Sequence, residues 1–165
     1  MPNRKAQITE IFREFSDMFD NGTPSIKLSP DEQDVYVPHP ISPDAHDYGT
    51  RLKEDAGYIA LQEKINKSGD RISYVYRYFS PEYECLTYKG GSGGGDHCDV
   101  FNFHYDGYED NIPHEPHINV LFPSIRYMSK KITLKDFLIF IREHFFENRE
   151  GLLHKKVFNI WDNRF

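Results

Sequence analysis

The chain is poor in cysteine, in long apolar runs and in cations, and each shortage excludes a class of protein. Cys85 and Cys98 are its only cysteines, too few and wrongly spaced for a disulfide framework or a paired-cysteine metal knuckle. No apolar run of about 18 residues occurs, so no membrane-spanning helix is expected, and the N-terminus lacks the apolar stretch of a signal peptide. Reduced thiols and a cytoplasmic location follow as expectations. Lys and Arg number 20 against 26 Asp and Glu, and the net charge of −6 argues against a general nucleic-acid coat protein. The deficit is uneven. From Arg126 to Phe165 nine Lys/Arg face five Asp/Glu, a local +4, whereas residues 1–125 hold 11 against 21, or −10. A basic C-terminal third can contact phosphates or an acidic partner, although a solvated helix face is the simpler cause.

Aromatic residues are plentiful: 13 Phe and 11 Tyr supply the area for a real core. At 165 residues, one domain spanning 1–165 is expected. Over residues 6–20, Ile8, Ile11, Phe12, Phe15, Met18 and Phe19 recur at helical spacing, and Asn21-Gly22 ends the stripe. Residues 23–50 hold five prolines and read as an irregular segment, with Val35-Tyr36-Val37 a short edge strand and His39 and His46 solvated.

The period changes to two at Tyr58. Tyr58 to Ile65 and Arg71 to Phe79 form the arms of a hairpin across Asn66-Asp70, with Ile72, Tyr74, Tyr76 and Tyr78 opposing Arg71, Ser73, Val75 and Arg77. Arg51 to Gly57 reads alternatively as helical. Glu84 to Lys89 is a further strand, and Gly90–Gly95 a flexible hairpin tip, since no Gly-Lys-Ser/Thr ending makes it a phosphate loop. Sheet residues extend over 58–122. Thr133 and Asp136 mark the start of a helix over 133–148, and His144 falls within its apolar stripe as a packed residue. Residues 152–165 form a closing segment. Helices flanking sequential strands indicate an α+β fold: an antiparallel β-meander of four to six strands with the N- and C-terminal helices packed on one face.

Function is expected where two strands carry histidine. In Val100 to Phe122 the alternation puts Phe101, Phe103 and Tyr105 on one face and Asn102, His104 and Asp106 on the other. Ile118 and Val120 likewise oppose His117 and Asn119, with His114 at the rim. Antiparallel pairing then gathers His104, Asp106, His114 and His117 on one polar face, to which Arg77 is added if its strand is adjacent. These nitrogen and oxygen donors suit a first-row metal in type. Yet His114 and His117 are separated by Pro116, Cys98 lies about 20 Å along the strand from His104, and no helical metal motif is present, so no metal or other cofactor is expected. Metal-free acid–base chemistry fits better. Histidine titrates near neutrality, Asp106 can orient an imidazole, and Arg77 offers a permanent charge to a phosphate. Attack by an RNA 2′-hydroxyl on its own phosphodiester needs those parts.

Tyr76-Arg77-Tyr78, Phe103-His104-Tyr105-Asp106, Pro113-His114-Glu115-Pro116-His117 and the terminal helix with Leu134, Phe137, Leu138 and Ile141 together resemble the TumE-type toxins of bacterial and archaeal toxin–antitoxin modules, over roughly residues 72–146. Those toxins have a Tyr-Arg-Tyr-like strand, an Arg-Tyr-Asp-Asn strand end and a Pro-His-His-x-His cluster. The chain departs from that pattern at His104, Gly107 and Glu115, and adds an N-terminal extension and the glycine loop. The resemblance implies a toxin acting on RNA or the translation machinery, neutralised by a cognate antitoxin or other protein partner. The competing expectation is a non-enzymatic acidic binding protein (an antitoxin, immunity protein or phage-encoded inhibitor), supported by Asp31-Glu32-Gln33-Asp34 and Tyr108-Glu109-Asp110.

Overall fold

Three tyrosines on alternate positions of one strand carry the core. The structure is a computed structural model that describes residues 3–31, 33–37, 51–79, 101–105, 115–120 and 125–147. Helix α1 (Arg4–Glu14) leads to strands β1 (Lys27–Leu28), β2 (Asp34–Val37), β3 (Tyr58–Ile65), β4 (Arg71–Phe79), β5 (Phe101–Tyr105), β6 (His117–Val120) and β7 (Ile125–Met128), then to helix α2 (Leu134–Ile141). Among the described residues each strand lies beside its neighbour in sequence, so the sheet is a seven-stranded antiparallel meander in the order β1 to β7. The α+β class and both helices are as expected, and the two-residue β1 is added to six longer strands.

Tyr74, Tyr76 and Tyr78 are buried on the face that the helices cover. Each hydroxyl is satisfied, as a buried tyrosine requires. Tyr74 Oη accepts the Ile132 N–H at 3.0 Å, Tyr76 Oη donates to Glu63, and Tyr78 Oη donates to the Ala56 carbonyl at 2.8 Å. Phe137 of α2 sits 5.4 Å from the Tyr76 ring, and Phe145 stacks on Tyr78 at 4.4 Å. Ile8 and Phe12 of α1 join the same cluster with Phe15, Met18 and Phe19.

Local chemistry sets the ends of the elements, and some differ from expectation. The Asn3 side chain accepts the Lys5 N–H, so α1 starts at Arg4, and it stops at Glu14 rather than running to residue 20. Ser16–Met18 is a 3₁₀ turn that keeps Met18 in the core. Within residues 23–50, the stretch read as irregular holds β1 and β2, and β2 is flanked by β1 and β3 instead of forming the edge. The 51–57 alternative resolves as a short 3₁₀ turn, Lys53–Asp55. Residues 142–146 continue α2 as a π-helical turn. The β3–β4 loop is held by Asn66 Oδ1, which accepts from Ser68 N and Asp70 N, both at 2.9 Å, and Gly69 takes a positive φ of 86°.

One face assignment changes. A register shift at Lys64/Ile65 pairs Ile65 with Arg71, so Ile72 is the extra residue of a bulge. Arg71 therefore joins the tyrosine side, its guanidinium 4.3 Å over the Tyr74 ring, while Ile72 is exposed. The strand read at Glu84–Lys89, the glycine loop, His39, His46, both cysteines and the closing segment 152–165 lie outside the described residues.

Candidate functional site

The opposite face of the sheet is where the imidazoles meet. Because 103 and 105 point to the core, His104 points away from it, and β5 pairs with β6 so that His104 stands directly across from His117. Their rings lie 4.9 Å apart, edge to face at 70°. Across the other edge of β5, His104 faces Val75 and Asn102 faces Arg77, which makes Arg77 a diagonal neighbour of His104. Such neighbours have Cα atoms about 7–8 Å apart, within reach of an arginine side chain. His104, His117 and Arg77 thus share one face. Asp106 and His114 lie outside the described residues.

The two histidines differ in accessibility. His104 and Arg77 are half-buried, whereas His117 is only 2% exposed and is not on an open patch as expected. Its position is fixed by the strand start. Pro116, which has no N–H for the ladder, immediately precedes β6, and its carbonyl accepts Ser129 N at 2.8 Å to close the β6–β7 ribbon. His117 Nδ1 lies 3.1 Å from the Glu115 carbonyl. A carbonyl can only accept, so Nδ1 carries the proton and, in the neutral ring, Nε2 holds the lone pair.

A direct cross-strand row continues from this pair over the same face: Lys27, Tyr36, Gln62, Val75, His104, His117 and Met128. A cavity of about 300 Å³ opens along it, lined by Tyr36, Gln62, Val75 and Arg77 with Asp34 and Ser29. At the strand positions of this face in β1 to β4, Lys27, Lys64 and Arg77 stand against Asp34 alone. The face is locally cationic in an acidic chain. The histidine clustering signals the site in the sequence, but the cavity is assembled from the β3–β4 hairpin and β2, whose pairing with β3 the sequence does not display.

A second polar cluster lies on the tyrosine side. Glu63 is fully buried; Arg4 Nε and Nη2 donate to its two oxygens at 2.6 and 2.7 Å, and Tyr76 Oη donates to one of them. Arg71 in turn donates to Tyr76 Oη. Burial first, and then the adjacent carboxylate, hold the Tyr76 hydroxyl well above its ordinary value. The available signal was parity: in β3 Glu63 shares its face with Ile59, Leu61 and Ile65. The cluster borders a wider polar cleft of about 590 Å³, lined by Arg4, Gln7, Asp31, Lys67 and Asp70 among others.

Among the described residues no group of three His, Cys, Asp or Glu side chains is placed to hold a metal ion. No described helix is long and apolar enough to cross a membrane. No protein-family model, curated protein or solved structure matches the chain.

Proposed function

We propose that the sheet face bearing His104, His117 and Arg77 cleaves RNA without a cofactor, in a toxin-like protein of the kind that a partner protein must hold in check. The observation that carries this reading is the cross-strand His104–His117 pair, 4.9 Å between rings, with Arg77 diagonal to it. The accessible imidazole of His104 takes the proton from the RNA 2′-hydroxyl as that oxygen attacks phosphorus. It returns the proton to the 5′-oxygen as the P–O5′ bond breaks, leaving a 2′,3′-cyclic phosphate and a 5′-hydroxyl. Arg77 faces the charge that builds on the phosphoryl oxygens. His117, buried and tethered to the Glu115 carbonyl, acts as a positioning residue that holds the His104 ring edge to face. Asp106 and His114 complete the set nominated by the sequence.

The burial of His117 favours a second reading, in which the paired imidazoles are packing and the protein works through protein–protein contacts alone. His104→Gln separates the two. Purified protein is assayed on a single-stranded RNA, and growth is followed on expression. His104→Gln is expected to lower the cleavage rate by about 10²-fold or more and to relieve growth arrest, with an unchanged thermal melt. Full activity in that variant moves the site elsewhere; a wild type that neither cleaves RNA nor arrests growth leaves the binding reading.

A further inference from the structure

The cavity beside Arg77 is not used by the proton-transfer pair, and polar and aromatic side chains of the sheet face, Tyr36, Gln62 and Arg77, line it together with Val37 and Leu61 of the core. We infer that it is a nucleobase subsite, in which Tyr36 stacks on a base flanking the phosphate held at His104, so that the substrate is an extended single strand. This inference deepens the ribonuclease reading and rests on it.

The row Tyr36, Gln62, Val75, His104 crosses three strand spacings, and at about 4.8 Å each Tyr36 lies roughly 14 Å from His104. That separation puts the stacked base on a neighbouring nucleotide, not the one being cut. Tyr36 is half-buried, so its ring is anchored yet offers surface to the cavity. Any base has a π-face, and stacking on an aromatic ring tolerates every sequence. Below it Gln62 Nε2 donates to Asp34 Oδ1 at 3.2 Å, which orients the amide. The second amide hydrogen and the Oε1 acceptor are left to read a base edge. Lys27 and Lys64 flank this row and Arg77 lies between the cavity and His104, so cations mark the path of a phosphodiester backbone. A duplex, with its bases stacked on each other, could not place one on Tyr36.

The test measures binding of a five-nucleotide single-stranded RNA, made uncleavable by 2′-deoxy substitution, by fluorescence anisotropy. Tyr36→Leu, which keeps apolar volume without a π-face, is expected to weaken binding roughly 5- to 100-fold, and Tyr36→Phe to restore it. Unchanged binding in Tyr36→Leu overturns the subsite while leaving cleavage at His104 standing. Failure of Tyr36→Phe to restore binding assigns the loss to β2 packing and also overturns it. A wild type that binds through Tyr36 but cleaves no unmodified RNA keeps the subsite and overturns the ribonuclease reading. A wild type that does not bind the oligonucleotide overturns the subsite, and cleavage of unmodified RNA then decides the ribonuclease reading separately.

Discussion

Glu63 is a carboxylate with no exposed surface, held by a bidentate arginine from a helix 59 residues away and by a tyrosine hydroxyl. Removing one member of such a set strands the others without water, which costs far more than the intact pair contributes. Glu63→Ala is therefore expected to lower unfolding stability by about 3–5 kcal/mol, measured by urea denaturation. Adding Arg4→Ala to that variant should cost much less than Arg4→Ala alone, because the two changes remove the same interaction. Additive losses would disprove the coupling. The parity of Glu63 among Ile59, Leu61 and Ile65 was visible in the sequence. Its partners were not, since Arg4 sits in a different element and Arg71 reaches the cluster only through the bulge at Ile72.

At the scale of elements, what was legible was what local chemistry sets. Thr133 Oγ1 accepts the Asp136 N–H at 3.1 Å, and the Asp136 carboxylate accepts the Thr133 N–H at 2.8 Å, the reciprocal cap anticipated from those two residues. Thr133→Ala should destabilise by about 1 kcal/mol, read from the urea midpoint. The Thr133 backbone N–H, foremost, and its hydroxyl hold the Asp136 carboxyl below its ordinary value of 3.8. A depressed folded-state value means that this contribution is fully present above the ordinary value and is lost as pH falls through the folded one. Between pH 6 and pH 3 the wild type should accordingly lose more thermal stability than Asp136→Asn, and parallel losses would count against it. The β3–β4 hairpin was equally readable, because alternation and the Asn66–Asp70 turn agree. The bulge was not: an inserted residue breaks alternation without changing composition. The early end of α1 was hidden because Phe15, Met18 and Phe19 remain buried in a 3₁₀ turn and extended chain, so the apolar spacing outlasts the helix.

For the whole molecule, net charge misleads about the proposed surface. The chain carries −6, yet the face of the sheet with the histidine pair presents Lys27, Lys64 and Arg77 against Asp34 at its strand positions in β1 to β4. If that face holds two to three phosphates of single-stranded RNA, the logarithm of the association constant should fall with the logarithm of salt at a slope between roughly −1.4 and −2. Titrations from low to physiological salt check this, and a slope near zero would remove the phosphate contacts from the proposal. The sequence by itself determined the α+β class, the hairpin, the α2 cap and the alternation that sends His104 and His117 away from the apolar side of their strands. Those features depend on residues close in the chain and on the fixed period of strand and helix. The tertiary structure alone decided that β4 lies against β5, that His117 is buried, and that Tyr36 and Gln62 share a face with Arg77. Strand order and register are set by which apolar faces pack together across long separations, and no short stretch of sequence carries that information.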